Sequence, residues 1–406
     1  MSERTTGGSA PDGRGPGPKI FLVAAEPSGD RLGAGLADAL RARLGDGVTF
    51  CGVGGPRMAA HGVASPFDIS ELSVLGFVEG LKIYRRVVRR ADETAALAVA
   101  ERPDIAVLID SWGFTLRVAQ RLRRLLPDLP IVKYVGPQVW ASRPGRAETL
   151  ARAVDLVLTL QPFEPPYFES AGLAATFVGH PALDRPPDGD RAAFRARYGI
   201  GAEQKVALLL FGSRASEVRR MTPVFVDTME RLRQERGESL VFVAPLAAET
   251  ATQVRAMAAE DPRLHHAIMV DEPERDDAFA AGDVALACSG TVVTELALAG
   301  TPSVVAYRLD ALTHLMMKAV VTAPHISLVN MAAGARVLPE FIQSAARPDA
   351  LAAAVARFLD DPDYAAWARA EIAQAIARMR GDGSPAAGRA ADAVIALLRE
   401  RSGAVV

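Results

Sequence analysis

Four short stretches carry side chains whose types and spacing could do chemistry. Ser289-Gly290-Thr291 joins an apolar run to an apolar segment of helical type that carries one charge, Glu295. Small residues at a strand-to-helix junction leave backbone N–H groups free at the positive end of the helix dipole, an arrangement that binds phosphate. Glu295 falls one turn into the helix, where its carboxylate would accept hydrogen bonds from ribose hydroxyls. An ordinary turn with a solvated Glu fits the same residues. Gly212-Ser213-Arg214 repeats the pattern, with Glu217 three residues on. The guanidinium of Arg214 is a planar, permanently charged fork suited to a diphosphate leaving group, with Glu217 to orient it. A surface Arg beside a helix-start Glu is the alternative. Asp110 closes the apolar run IAVLID. A carboxylate there either takes the proton of an attacking hydroxyl or caps the helix starting near Phe114. Glu26-Pro27-Ser28-Gly29-Asp30 follows the first apolar run. It would meet sugar or phosphate through Ser28, the backbone at Gly29 and the helix start, unless Ser28 or Asp30 is only a cap. It fails the GxGxxG fingerprint of dinucleotide sites.

Metal chemistry finds no support. His265 and His266 are adjacent, His325 has no ligand neighbour in sequence, and His180 reads either as a cleft residue or as a structural one. Asp188-Gly189-Asp190 matches the DxD of metal-dependent sugar transferases but falls in a Pro/Gly/Asp break rather than at a strand end, so no metal and no cofactor are expected. Leu72–Arg90 mixes apolar side chains (Leu75, Phe77, Val78 and Leu81 among them) with the bases Lys82, Arg85, Arg86, Arg89 and Arg90. Such a stretch is either a core helix with a basic solvated end or a contact for acyl chains and anionic head groups.

The elements that must position these residues alternate in kind. Strands are predicted at Lys19–Ala25, Val48–Val53, Asp104–Asp110, Ile131–Val135, Leu156–Leu160 and Ala175–Val178. Helices lie between them, one running from beyond Gly35 to about Leu44 and another over Phe114–Leu126 with Arg117, Arg121, Arg123 and Arg124 outside. Strand–helix alternation gives a parallel sheet. A second series follows the break at Arg185–Asp190: Val206–Phe211, the helix Glu217–Arg236 stopped by Gly237, Ser239–Ala244, His266–Val270, Val284–Cys288 and Ser303–Tyr307. The fold class is therefore α/β, with two doubly wound domains facing a cleft and ligands at the carboxyl ends of the strands. The expected divisions are a disordered tail over 1–18, a first domain over 19–184, a second over 191–347, and Ala- and Arg-rich helices over 348–406.

A chain of 406 residues, half of them hydrophobic, is ample for two cores. Its net charge of −2 gives no electrostatic reason to expect a nucleic-acid partner. Cys51 and Cys288 sit in separate apolar runs without ligand spacing, which fits a reducing cytoplasm. The Gly/Pro/Ser/Arg-rich start lacks the apolar segment of a signal peptide, and no run is long enough to span a bilayer.

Taken in order, the chain resembles the lipid-A-disaccharide synthases, inverting glycosyltransferases of the two-Rossmann GT-B type. The resemblance is carried by Glu26–Asp30 with Gly33-Ala34-Gly35, Gly55-Pro56-Arg57-Met58, Leu72–Glu79, Ile109-Asp110-Ser111, and Tyr134–Ala141 with Arg143-Pro144-Gly145-Arg146. It continues through Pro162-Phe163-Glu164, Phe177–Pro181, Gly212-Ser213-Arg214 with Glu217, Ser289-Gly290-Thr291 with Glu295, and Asn330 with Pro339-Glu340. It implies condensation of UDP-2,3-diacylglucosamine with 2,3-diacylglucosamine 1-phosphate to a β-1,6-linked disaccharide phosphate and UDP. By the same resemblance Asp110 is the general base, Arg214 holds the donor phosphate, Ser289–Thr291 and Glu295 form the nucleotide site, and Asn330 lies near it. Leu72–Arg90 becomes a lipid contact of a protein peripheral to the cytoplasmic face of a Gram-negative inner membrane. The C-terminal helices either cross back onto the first domain or exchange within a homodimer.

Other GT-B proteins remain as alternatives: a UDP-GlcNAc transferase, a UDP-GlcNAc 2-epimerase, or a non-catalytic nucleotide-sugar-binding protein. The chain departs from the family pattern at Ala25, Trp112-Gly113, Gly136, Ser142, Phe211 and Val329.

Overall fold

The computed structural model describes residues 17–72, 80–185, 188–310 and 323–402. The first unit runs β1 (Lys19–Ala24), α1 (Pro27–Leu44), β2 (Thr49–Val53), α2 (Pro56–Ala59), α3 (Gly80–Glu101), β3 (Ile105–Ile109), α4 (Trp112–Leu125), β4 (Ile131–Tyr134), α5 (Arg146–Ala151), β5 (Leu156–Thr159), α6 (Pro165–Glu169) and β6 (Ala174–Phe177). The second runs α7 (Arg191–Arg197), β7 (Lys205–Leu210), α8 (Ala215–Arg236), β8 (Leu240–Pro245), α9 (Ala251–Glu260), β9 (Ala267–Val270), α10 (Arg275–Ala281), β10 (Val284–Cys288), α11 (Thr291–Leu298), β11 (Ser303–Tyr307) and β12 (Glu340–Ile342).

Each unit holds a six-stranded sheet, ordered β2-β1-β3-β4-β5-β6 in the first and β12-β11-β10-β7-β8-β9 in the second. Every neighbouring pair is parallel. The central strands read as unbroken apolar runs because helices cover both faces, so both side-chain directions are buried. Ile20, Leu22, Val107 and Ile109 pack on one face of the first sheet, and Phe21, Val23, Ala106 and Leu108 on the other. Burying each such Ile or Leu contributes about 1.5–3 kcal/mol.

The strand orders reverse direction at one place in each sheet. In the first, the chain leaves β1 toward β2 and returns to its other side at β3. In the second, it leaves β7 toward β8 and returns at β10. In each sheet the loops after that pair of strands lie at the carboxyl ends beside the switch point, where doubly wound folds hold ligands. They are the four stretches that hold Glu26–Asp30, Asp110, Gly212–Arg214 and Ser289–Thr291.

Three details differ from the sequence expectations. Helix α1 begins at Pro27, not beyond Gly35, because proline presets φ and needs no N–H partner in a first turn. Strand β12 has only three residues, too few to show a period. The C-terminal region is three helices, Pro348–Asp360, Pro362–Arg380 and Ala386–Ser402. Asp361-Pro362 breaks the first from the second. The last helix lies on α1, with Ala390, Ala391, Val394, Ile395 and Leu398 joining the core formed by Ile20, Leu22, Leu36 and Leu40. Arg380 donates to the carbonyl of Leu183 at 2.8 Å, and Ala386 N to Asp184 at 3.0 Å, so the outgoing and returning chains are tied together.

Candidate active site

The switch point of the second sheet opens into a cavity of about 460 Å3. Gly212, Ser213, Glu217, Ser289, Gly290, Thr291 and Glu295 line it together with Glu249, Thr250, Glu272, Arg275 and the apolar Leu246 and Val254. Two helices, α8 and α11, begin at its wall, so their unpaired first-turn N–H groups and positive dipole ends adjoin it. Gly212 is required here by its backbone. Its φ is 116°, and a Cβ would lie 2.7 Å from Glu217 Cβ and 2.9 Å from Glu217 Oε2.

Glu217 is buried and accepts from Arg214 N at 3.3 Å, the Arg214 guanidinium at 2.9 Å and Tyr307 Oη at 3.2 Å. Arg214 itself is outside the lining; its side chain is 75% exposed and rests on Glu217, whose hydrogen bond and charge raise its pKa further. Glu295 is held above the usual carboxylate range by burial, against the pull of Arg275, whose guanidinium stands 3.6 Å away. Arg275, Glu249 and Glu272 had no signal in the sequence. They come from loops and helix starts that only the sheet order brings to one place.

Asn330 is not a wall of this cavity. It is fully buried in the short helix Leu328–Ala333, donates to the carbonyl of Leu338 and to Glu340, and accepts from Leu338 N at 2.8 Å. Its amide is consumed in fixing the chain that enters β12. Asp30 is likewise turned inward. It accepts from the backbone N–H groups of Gly55, Arg57 and Met58 at 2.8–3.0 Å and so caps α2. Gly29 is buried against β3, its Cβ position 3.3 Å from Ala24 Cβ and 3.6 Å from the Ile109 carbonyl. Glu26 and Ser28 stay exposed.

The first sheet's switch point gathers a second cluster. Ser28 Oγ stands 3.5 Å from Asp110 Oδ2. Asp110 and Ser111 have φ of 49° and 40°, left-handed values that cost a non-glycine residue about 1–3 kcal/mol each. The surroundings hold them there. Asp110 N donates to the Tyr134 carbonyl at 2.8 Å, Thr115 Oγ1 to the Asp110 carbonyl at 2.7 Å, and Lys133 Nζ to that same carbonyl and to Thr115 Oγ1 at 2.9 Å. Lys133 is 2% exposed, and burial pulls its pKa down to about 7, opposed by Asp110 and Glu26. It lies inside a β-strand, where one Lys among apolar residues gives no sequence cue. Glu164 is a further buried support, accepting from Trp140 Nε1, Leu160 N and Gln161 N at 3.0 Å each.

Some departures from the family pattern have physical reasons. A side chain at Gly136 would meet Phe168 Cζ at 2.7 Å. Phe211 is buried against Phe225, and Val329 is fully buried in the core of the second unit. Nothing in the structure explains Ser142.

His180 is a structural residue, its Nδ1 accepting from Ala182 N at 3.0 Å. Asp190 caps α7 through Ala193 N at 2.9 Å, which accounts for the DxD-like triplet. Among the described residues no group of three or more His, Cys, Asp or Glu side chains is placed to hold a metal, and no helix is long and apolar enough to cross a membrane. Leu75, Phe77 and Val78 lie outside the described residues. Leu81 and Lys82 fall in the first turn of α3, their side chains outside the description. Arg85 and Arg86 are exposed on α3, whereas Arg90 is paired with Glu71 at 2.7 Å and Glu93 at 2.6 Å. Arg121 is not outside: its side chain is 14% exposed and pairs with Asp92 of α3.

Two parallel six-stranded sheets, each with its own switch point, place the protein in the GT-B class, which includes both sugar transferases and nucleotide-sugar epimerases. Solved structures of both kinds share the fold. The glycotransferase of kitacinnamycin superposes with a TM-score of 0.61 at 17% identity, over 95% of this chain and 100% of that one. A putative UDP-N-acetylglucosamine 2-epimerase from Listeria monocytogenes gives 0.60 at 14%, over 96% and 97%. Sequence decides between them. The profile of the lipid-A-disaccharide synthetase family matches residues 20–392, and the chain belongs to that family. The lipid-A-disaccharide synthase of Rhodospirillum centenum is 41% identical over 387 residues, 94% of this chain and 95% of its own. That of Ruegeria pomeroyi is 44% identical over 355 residues, 85% and 87% of the two chains. The protein is thus an enzyme, a glycosyltransferase of lipid A biosynthesis.

Proposed function

We propose that the enzyme transfers 2,3-diacylglucosamine from UDP to the 6-hydroxyl of 2,3-diacylglucosamine 1-phosphate, with inversion, releasing UDP. The observation that carries this reading is the division of polar groups between the two switch points. A cavity walled by two helix starts, Gly212 and a carboxylate at Glu295 suits a nucleoside diphosphate: phosphates at the helix ends, ribose at Glu295. Across the chain's midpoint, Asp110 is presented on a strained turn with Ser28 beside it. Its carboxylate would take the proton of the acceptor hydroxyl as the new bond forms at the anomeric carbon. Negative charge growing on the departing UDP would be met by the N–H groups of α8 and α11 and by Arg214, fixed on Glu217. Among the described residues none of the first unit lines the donor cavity, so donor and acceptor would be held by different units and brought together there, which supplies orientation.

The first unit, residues 19–184, would be the acceptor and lipid half and residues 191–347 the donor half. Contact with the inner face of the inner membrane would come through the Leu72–Arg90 region, where Arg85 and Arg86 stand exposed. The test is an assay with both lipid substrates in detergent, read by product mass. A disaccharide phosphate is expected. Efficient turnover of water-soluble UDP-GlcNAc without the lipid donor would defeat the assignment.

A further inference from the structure

The loop after β4 carries two arginines that the reaction outlined above does not use. Arg143 is exposed in a left-handed conformation, φ 54°, and Arg146 is half-buried at the start of α5. The guanidinium carbon of Arg146 stands 5.2 Å from the centre of the Trp112 ring, within cation–π range. Trp112 is two residues past Asp110, and β4 is the neighbour of β3 in the sheet. The arginine is therefore fixed beside the turn that presents the base.

Among the described residues neither Arg143 nor Arg146 pairs with a carboxylate. Other covered arginines of the same unit do: Arg90 with Glu71, Arg121 with Asp92, and Arg123 with Asp155. Burial, and then the charge of Arg143, pull the pKa of Arg146 down, as expected for two cations that lack an anion between them. Arg117 adds a third cation at the same turn, donating to the Gly113 carbonyl. Holding like charges together unpaired is costly, and the cost is recovered when a dianion arrives. Guanidinium forks favour phosphate oxygens through paired, charge-assisted hydrogen bonds.

We infer that Arg143 and Arg146 form the site for the phosphomonoester of the acceptor sugar, anchoring the acceptor beside Asp110. The inference rests on the acceptor assigned under Proposed function. It explains why Trp112 can stand at the head of α4: the ring gives Arg146 a platform. A phosphate ester could also come from a bilayer head group, and the experiment separates the two sources.

The measurement compares diacylglucosamine 1-phosphate with diacylglucosamine lacking the phosphate, in the full-length parent and in Arg143→Gln, Arg146→Gln and Arg146→Lys. The parent should prefer the phosphorylated acceptor by at least about tenfold in kcat/KM. Each Gln variant should lose about 10- to 30-fold on that acceptor, mainly through KM, and less than threefold on the other, with donor KM unchanged; Lys should recover part of the loss. Equal losses on both acceptors would overturn the site while leaving the reaction standing. A parent that turns over neither acceptor would overturn both readings. Binding to phosphatidylglycerol and phosphatidylcholine vesicles is the second arm. Gln variants that lose phosphatidylglycerol binding but keep the parent's acceptor preference would assign the arginines to the bilayer instead. Arg143→Gln, at an exposed position, guards against a variant that fails to fold.

Discussion

At the scale of single residues, Lys133 ties the turn of the proposed base, Asp110, to stability. A buried amine whose pKa is about 7, against an ordinary lysine near 10.4, holds its proton less tightly in the folded chain than in the unfolded one. Between those values the unfolded state binds more protons, so this group's contribution to stability rises as pH rises; below pH 7 the full cost of a buried charge applies. Lys133→Met removes both the titration and the support under Asp110. The unfolding free energy of the parent minus that of the variant, from urea melts, should move in the parent's favour by about 3 kcal/mol between pH 7 and 10. A flat difference would contradict the buried amine. The same variant should lose roughly 10- to 100-fold in kcat, because the left-handed turn is no longer pinned. The placement of Asp110 at a strand end and of Ser289–Thr291 and Glu295 at a strand-to-helix loop was legible in the sequence, because strand-end position and small-residue loops have physical meaning at any doubly wound sheet. Lys133 and Arg275 were not, because the groups they meet, Asp110 and Thr115 for the one and Glu295 for the other, lie well apart from them in sequence. Asp30 and Asn330 were misplaced for the converse reason: a polar side chain near a site reads the same whether it faces ligand or backbone.

At the scale of elements, the site is made by where helices start. Helix α8 can begin against the cavity only because Gly212 turns the chain at φ 116° with Glu217 packed over it. Gly212→Ala should therefore cost about 1–3 kcal/mol in stability and weaken UDP binding by about tenfold or more, read by thermal melting and by calorimetry. Unchanged UDP affinity would show that the turn does not shape the donor site. The strands were read to within a residue or two because covered parallel strands are apolar throughout, and Gly237 stopped α8 as expected, with φ 55°. Strand β12 and the divisions among the C-terminal helices escaped, being short or set by tertiary contacts.

At the scale of the whole molecule, the chain folds as two sheets but closes on itself, since the last helix completes the core over α1. Val394 is fully buried there. Val394→Asp should destabilise the first unit by about 3–5 kcal/mol, lowering its melting transition, while UDP affinity in the second unit persists at temperatures below that transition. Loss of UDP binding in the folded variant would mean the units are not separable in this way. The proposed reaction rests on the same division of labour: donor held by the second sheet, base supplied by the first. Asp110→Ala tests it most directly, by turnover of the lipid substrates in detergent alongside UDP binding by calorimetry. Turnover should fall at least about 100-fold in kcat with UDP affinity within twofold of the parent; turnover that survives the substitution would remove Asp110 from the role of base.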